Sequence, residues 1–244
     1  MKRDVDFLKQ NIIAHRGDFG EIDTRENSLS AFKRAMDNNY IIELDVHLTK
    51  DNRIIVFHDD DLSRMTGRSG NIVDFTLDEL KRFRLHGSNE RIPTLEEVLD
   101  LVKGKVPIII EIKYDRRPGE LEPFLAEILD NYKGKFAVKS FNPMIVRWFK
   151  KNRPDYIRGI LIAYTYNNFL EKIASRLLFI PLCEPDFISC DFKFYDYKWL
   201  KRLRKKYVVI AWTIKSGYVY HEIKNYFDNF ICENMDNIFW TLSQ

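Results

Sequence analysis

Short apolar runs alternate with amphipathic helical patterns along the chain, and this alternation constrains its fold more than any other feature. The run 108–112 is apolar almost without a break, which is typical of a parallel strand buried on both faces. The first helical pattern starts at Leu29, where Asn27 or Ser28 can cap the helix. Strands are predicted at 12–14, 41–46, 108–112, 136–140, 157–162, 187–190, 207–213 and 229–231. Helices are predicted from 29 and from 95, at 121–132, 143–152, 167–179 and 197–206, and before the last strand.

Eight strand–helix units in 244 residues average about 30 residues each, the size expected of a βα unit. The pattern therefore predicts an α/β protein of the (β/α)8 barrel type. The extended run 54–57 is expected to fold back as a hairpin beside the second strand. Residues 47–93 then form an insertion within one domain spanning 1–244. An open doubly wound sheet is the alternative, but a glycine-rich nucleotide loop is missing at the first turn.

Composition narrows the class of protein. Lys and Arg number 39 and Asp and Glu 36, a net charge of +3, which argues against a nucleic-acid binder. Cys183, Cys190 and Cys232 are odd in number and lack CxxC spacing, so they indicate a reducing compartment rather than a disulfide framework or zinc site. Apolar runs long enough for a secretory signal or a bilayer span are missing. We expect a cytoplasmic protein without stable membrane insertion.

Carboxylates fall where the predicted strands end, at the rim that carries the chemistry of such barrels. Glu43 and Asp45 lie two residues apart and share one face of the second strand, and Glu111 ends a later one. Burying like charges together is costly unless a cation or proton intervenes. A shared divalent metal would resolve all three. Carboxylate oxygens without Cys or clustered His favour Mg²⁺ or Ca²⁺ over Zn²⁺.

Histidines and cations accompany the predicted metal ligands. His15 ends the first strand and His58 follows the hairpin strand, and such a pair suits proton transfer on both sides of a phosphodiester. Arg16 and Lys113 add the positive charge that a phosphate requires. His47 shares the face of Asp45, and it either joins the site or lies in the insertion. Together these residues predict metal-assisted phosphodiester cleavage.

At this point the chain resembles the glycerophosphodiester phosphodiesterase family. The resemblance is dense in the first half of the chain and thin in the second, and its specificity lies in the ordered set of motifs. The matching blocks are IAHRG at 13–17, ENSLSAF at 26–32, ELDVHLTKD at 43–51, VFHD at 56–59, IPTLEEV at 92–98 and EIK at 111–113, with weaker similarity at Ser140-Phe141 and Trp212-Thr213.

The resemblance implies a (β/α)8 barrel with an insertion after the second strand. It also implies a small-molecule substrate, a deacylated phospholipid such as glycerophosphocholine or glycerophosphoethanolamine, cleaved to sn-glycerol 3-phosphate and an alcohol. The roles that it implies are a divalent metal held by Glu43, Asp45 and Glu111, acid and base at His15 and His58, and phosphate or substrate binding at Arg16, Lys113 and Trp212.

The chain departs from the family pattern in places. Arg25 stands where the family usually has Pro, Ser28 where Thr is common, and the stretches around Lys215 and 232–235 differ. These differences leave the preferred head group open. A lysophospholipase D-like lipid phosphodiesterase is the alternative. A silent phosphate-binding protein would require the loss of a histidine or carboxylate, and all five are present. The sequence also leaves open the choice of metal, the role of each histidine, a cyclic phosphate intermediate and the oligomeric state.

Overall fold

The computed structural model describes residues 3–20, 24–114, 116–164, 178–236 and 238, and these contain a nine-stranded sheet. Its strands are β1 (Ile13–His15), β2 (Ile41–Leu48), β3 (Ile54–Val56), β4 (Ile108–Ile112), β5 (Phe136–Ser140), β6 (Ile157–Ile162), β7 (Phe187–Asp191), β8 (Val208–Ile214) and β9 (Asn229–Cys232).

The sheet closes into a parallel barrel. Its order is β1-β9-β8-β7-β6-β5-β4-β2-β3, and β1 also pairs with β2, which completes the ring. Every pair within the ring is parallel. β3 lies outside the ring and pairs antiparallel with the end of β2, so that Leu48 faces Ile54. The predicted (β/α)8 barrel and the predicted hairpin are both confirmed.

Helices follow the strands as the apolar spacing indicated. Ser28 caps the first of them by accepting a hydrogen bond from the Ala31 amide, and Thr94 and Glu97 form a capping box at another. Residues 178–183 are also helical, whereas most of the predicted helix 167–179 lies outside the described residues. The helices are α1 (Leu29–Asp37), α2 (Ser63–Thr66), α3 (Leu77–Leu80), α4 (Leu95–Val102), α5 (Glu122–Asp130), α6 (Pro143–Asn152), α7 (Lys198–Arg204) and α8 (Gly217–Ile223), with 3₁₀ turns at Asp6–Lys9, Ile72–Asp74 and Phe192–Phe194.

None of the helices in the described ranges has both the length and the apolar character needed to cross a membrane.

Alternation along the strands divides the core into two layers. In β2, Ile42, Leu44 and Val46 belong to the outer layer, which includes side chains of α1 and α4. Ile41 belongs to an inner layer formed largely by strand residues, including Phe187. A Cβ at Gly159 would lie 2.3 Å from the Phe187 ring, so this position has no room for a side chain. Because successive side chains point to opposite faces, Glu43 and Asp45 must point into the barrel.

The segment between β2 and α4 has a hydrophobic cluster of its own. Its members include Phe57, Leu62 and Leu85, all buried. The Glu90 carboxylate accepts hydrogen bonds of 3.1 Å from the amides of Leu29 and Ser30, which ties the segment to the start of α1. His58 is placed at the carboxyl rim by β3, because the Phe57 amide next to it donates to the Asp45 carbonyl at 3.0 Å.

Candidate active site

Three carboxylates converge inside the carboxyl end of the barrel. Asp45 on β2 pairs in register with Glu111 on β4. Glu43 lies two residues earlier on β2, on the same face and deeper in the barrel. One oxygen from each lies within 4.8 Å of the others, and all three residues are buried. The structure therefore brings together the three residues predicted to hold a metal. Such a group of oxygens can hold a divalent cation.

Two lysines neutralise these carboxylates. Lys113 Nζ lies 2.8 Å from Asp45 Oδ1 and 2.7 Å from Glu111 Oε1, and Lys139 Nζ lies 2.8 Å from Glu43 Oε1. Burial would raise the pKa of Asp45, but Lys113, His58 and Arg16 outweigh it and lower that pKa. Burial would also raise the pKa of Glu111, but the charges of Lys113 and Lys139 have the larger effect and lower it. Both carboxyls are therefore ionised at neutral pH.

Arg16 lies in a strained turn that places it beside the carboxylates. Its φ is 57° and that of Gly17 is 86°. A Cβ at Gly17 would lie 2.9 Å from the Ala31 carbonyl carbon, so glycine is required there. The backbone amide of Arg16 donates to Glu43 Oε2 at 3.2 Å, and Nη1 of the Arg16 side chain donates to Glu26 Oε1 at 2.8 Å. Its Nε lies 3.5 Å from Asp45 Oδ2, so Arg16 links three acidic residues.

His15 is held by a carboxylate from the last strand region. Its Nδ1 lies 2.6 Å from Glu233 Oε1, and its Nε2 lies 4.0 Å from Glu43 Oε2. Burial would raise the pKa of Glu233, but hydrogen bonds from His15 and Lys215 lower it to about 2. An ionised carboxylate only accepts, so Nδ1 carries a proton. Nε2 is then the nitrogen that faces the acidic cluster.

His58, like His15, has its Nδ1 held by a carboxylate. Its Nδ1 lies 2.6 Å from Asp59 Oδ1, and Arg64 pairs with both Asp59 and Glu26. His47 is buried, and its Nε2 lies 3.2 Å from the backbone oxygen of His58. His47 thus contacts the backbone of His58 and belongs neither to the cavity lining nor to the acidic cluster. Burial lowers the pKa of His58 below 6.5, although Asp45 opposes this shift.

A cavity of about 620 Å³ opens beside His58. Phe141, in its wall, packs edge-on against Trp212, with ring centroids 5.8 Å apart. Of the residues predicted for the site, His58, Glu111 and Lys113 line the cavity directly, and Trp212 lies behind Phe141. The lining residues are His58, Asp59, Asp60, Asp61, Ser63, Arg64, Glu111, Lys113, Tyr114 and Phe141.

The structure thus links His15, Arg16, Lys113 and the three carboxylates in one network at the rim, with His58 in the adjoining cavity wall and Trp212 beside Phe141 of that wall. It also adds residues that the sequence interpretation missed. Lys139 had a usable signal, because a lysine inside the buried run 136–140 must be paired. Glu233 had none, since its contact with His15 spans 218 positions and depends on barrel closure. Glu26, Asp59 and Arg64 stand inside or near matched motifs without an individual signal.

A closed βα barrel with buried carboxylates, lysines and two histidines at its carboxyl rim has the features of a barrel enzyme that acts on a charged phosphate ester. The model of the Glycerophosphoryl diester phosphodiesterase family matches residues 15–224. The chain belongs to this family, and it is a phosphodiesterase.

Individual relatives agree with this assignment. A glycerophosphodiester phosphodiesterase of Caldanaerobacter subterraneus subsp. tengcongensis is 39% identical over 165 residues, which cover 63% of this chain and 67% of that protein. A lysophospholipase D of Rattus norvegicus is 26% identical over 260 residues, covering 91% and 81%. A phosphodiesterase of Oleispira antarctica, solved with the product sn-glycerol-3-phosphate, has a TM-score of 0.81 at 23% identity, covering 97% and 98%. This last likeness is one of fold.

Proposed function

We propose that the chain hydrolyses glycerophosphodiesters such as glycerophosphocholine and glycerophosphoethanolamine to sn-glycerol 3-phosphate and the free alcohol. The observation that carries this proposal is the meeting of Glu43, Asp45 and Glu111 between two carboxylate-held histidines. The name of the Caldanaerobacter relative supports the same substrate class.

The acidic cluster fits a divalent cation of the hard type, Mg²⁺ or Ca²⁺. Its donors are carboxylate oxygens within 4.8 Å of one another. Glu43 Oε1 is buried and accepts no aligned hydrogen bond from the described residues, although Lys139 lies 2.8 Å away. Glu43, Asp45 and Glu111 would hold the ion. When bound, it would stabilise negative charge on the non-bridging oxygens of the phosphate.

Lys113, Arg16 and Trp212 would bind the substrate in different ways. Lys113 lines the cavity, and its pKa is raised because Asp45 and Glu111 outweigh the effect of burial, so it presents a full charge to a phosphate. Arg16 is held by Glu26 and would position the phosphate from the opposite side. Trp212 would act through Phe141, by supporting the cavity wall.

The two histidines would divide the proton transfers. His58 faces the cavity that has room for the alcohol, so we assign it the proton given to the leaving oxygen. His15 would accept the proton of the attacking hydroxyl or water at Nε2, with Glu233 stabilising the resulting charge as in other carboxylate–histidine pairs.

A change of leaving group tests this division. A p-nitrophenyl ester needs little protonation on departure, so His58→Ala should lose far less activity on glycerophospho-p-nitrophenol than on glycerophosphocholine. His15→Ala should lose comparable activity on both. The opposite pattern would exchange the two assignments.

Glu233→Gln should lower kcat by about tenfold or more, because an amide neither fixes the His15 tautomer nor stabilises its charge. It should also change stability with pH. The folded pKa of Glu233, about 2, lies below the ordinary 4.5. Its contribution to stability is therefore complete above pH 4.5 and is lost as pH falls towards 2.

Urea unfolding from about pH 7 to about pH 3 measures this contribution as the difference between wild type and Glu233→Gln. The difference should shrink as the pH falls. Glu184→Gln is the control, since Glu184 is an exposed partner of Lys150. A constant difference across that range would show that the carboxylate is not stabilised by His15 and Lys215.

The lysophospholipase D relative makes lysolipids the second candidate substrate. Among the described residues, the cavity walls are mostly charged and include two large apolar side chains, Tyr114 and Phe141, which offer little surface to an acyl chain. Choline release should therefore show a kcat/KM for glycerophosphocholine that exceeds that for a short-chain lysophosphatidylcholine by about tenfold or more. A preference for the lysolipid would replace the proposed substrate class.

Two further proposals concern organisation and location. The barrel and residues 47–93 would act as one catalytic unit, which is supported by the position of His58 and Arg64 in the cavity wall. A cytoplasmic location is supported by Cys183, Cys190 and Cys232, which are buried free thiols.

A further inference from the structure

Lys139 is a buried cation that the proposed catalytic steps do not use. It lies on β5 in register with Glu111 on β4, and only 2% of its side chain is exposed. Its Nζ lies 2.8 Å from Glu43 Oε1 and 3.4 Å from Glu111 Oε2. Lys113, by comparison, is 12% exposed and lines the cavity, so Lys139 is the more deeply enclosed of the two lysines at the cluster.

Cationic side chains surround the acidic cluster. Three carboxylates face three cationic side chains, those of Lys113, Lys139 and Arg16. Arg16 is shared with Glu26, and Lys113 lies at the cavity wall. Lys139, by contrast, is enclosed and contacts two of the three proposed metal ligands. A divalent ion entering this site must therefore compete with a fixed internal charge.

We propose that Lys139 is a positioning residue of the metal site, which holds Glu43 and Glu111 together and lowers the affinity of the site for divalent cations. The inference rests on the proposed metal site. Physically, the ammonium lies within contact distance of ligand oxygens, where repulsion between it and a divalent ion is strong even in a polar environment. The same ammonium makes the ion-free carboxylates tolerable in the barrel interior.

Titration calorimetry with Mg²⁺ and with Ca²⁺ tests the proposal on wild type, Lys139→Gln, Lys139→Arg and Lys150→Gln. Lys139→Gln should bind the ion with a dissociation constant lower by about tenfold or more. Its ion-free melting temperature should fall, and the rise on adding the ion should exceed that of wild type. Lys139→Arg keeps the charge, so its dissociation constant should stay within about threefold of wild type. Lys150→Gln removes the same charge at a surface ion pair with Glu184 and should leave binding unchanged.

The outcomes separate this inference from the proposed function. If wild type binds neither ion, the proposed metal site and this inference both fail. If wild type binds and Lys139→Gln binds equally or more weakly, only the role of Lys139 is overturned. If Lys139→Gln does not fold, the Lys139→Arg variant takes its place. An ion affinity like that of wild type would support a role of the Lys139 charge, and an affinity weaker by tenfold or more would overturn that role.

Discussion

Replacing His15 or His58 with alanine is expected to lower kcat by ~10²–10⁴-fold, the usual contribution of one positioned proton-transfer group. Each histidine is fixed through Nδ1 by a carboxylate, at 2.6 Å in both cases, which leaves Nε2 for the reaction. Neither imidazole belongs to the group of side chains that could hold the metal, so the fold and the binding of Mg²⁺ should be retained. Glycerol 3-phosphate release, circular dichroism melts and calorimetry measure the three quantities.

His221→Ala is the matched control, because His221 is an exposed residue of α8. It should keep the kcat of wild type. A His15 or His58 variant with nearly full kcat would remove that histidine from the mechanism. A variant that loses activity together with Mg²⁺ binding would instead assign the histidine to the metal site.

Asp45→Asn should have the second largest effect, because Asp45 lies at the centre of the charge network. Its carboxylate contacts Lys113, Arg16 and the Asn27 side-chain amide at 2.8, 3.5 and 3.0 Å. The substitution removes a metal ligand and leaves two buried cations with less compensation. We expect loss of measurable Mg²⁺ binding, a fall in kcat of at least ~10²-fold, and a loss of about 3 kcal/mol in the free energy of unfolding.

Asp130→Asn serves as the control for Asp45→Asn. Asp130 forms an ion pair of 2.6 Å with Arg153, and 40% of its side chain is exposed. Such a surface pair contributes at most about 1 kcal/mol, and kcat should not change. If Asp45→Asn kept the Mg²⁺ affinity and stability of wild type in calorimetry and urea unfolding, the cluster would not be a metal site.

Much of the fold could be predicted because buried parallel strands leave an unmistakable pattern. The runs at 108–112, 136–140 and 157–162 match β4, β5 and β6 residue for residue. The predicted end of β2 is two residues short and that of β8 is one residue short. The missing residues belong to the strands because of their partners: His47 and Leu48 pair with β3, and Ile214 pairs with Cys232 of β9.

The candidate site could be predicted in part for a related reason. Glu43, Asp45 and Glu111 stand out because carboxylates inside apolar runs demand compensation. Their compensating partners depend on which strands become neighbours: Lys139 reaches Glu43 and Glu111 from β5, and Glu233 reaches His15 across the seam where β1 meets β9. These contacts follow from barrel closure and register rather than from local sequence.

The most direct test of the proposed metal-dependent phosphodiesterase is sn-glycerol 3-phosphate release from glycerophosphocholine, measured before EDTA treatment, after it, and after Mg²⁺ or Ca²⁺ is restored. We expect turnover to disappear with the chelator and to return with at least one of the two ions. Full turnover in EDTA by protein shown to be free of metal would contradict the proposed role of Glu43, Asp45 and Glu111.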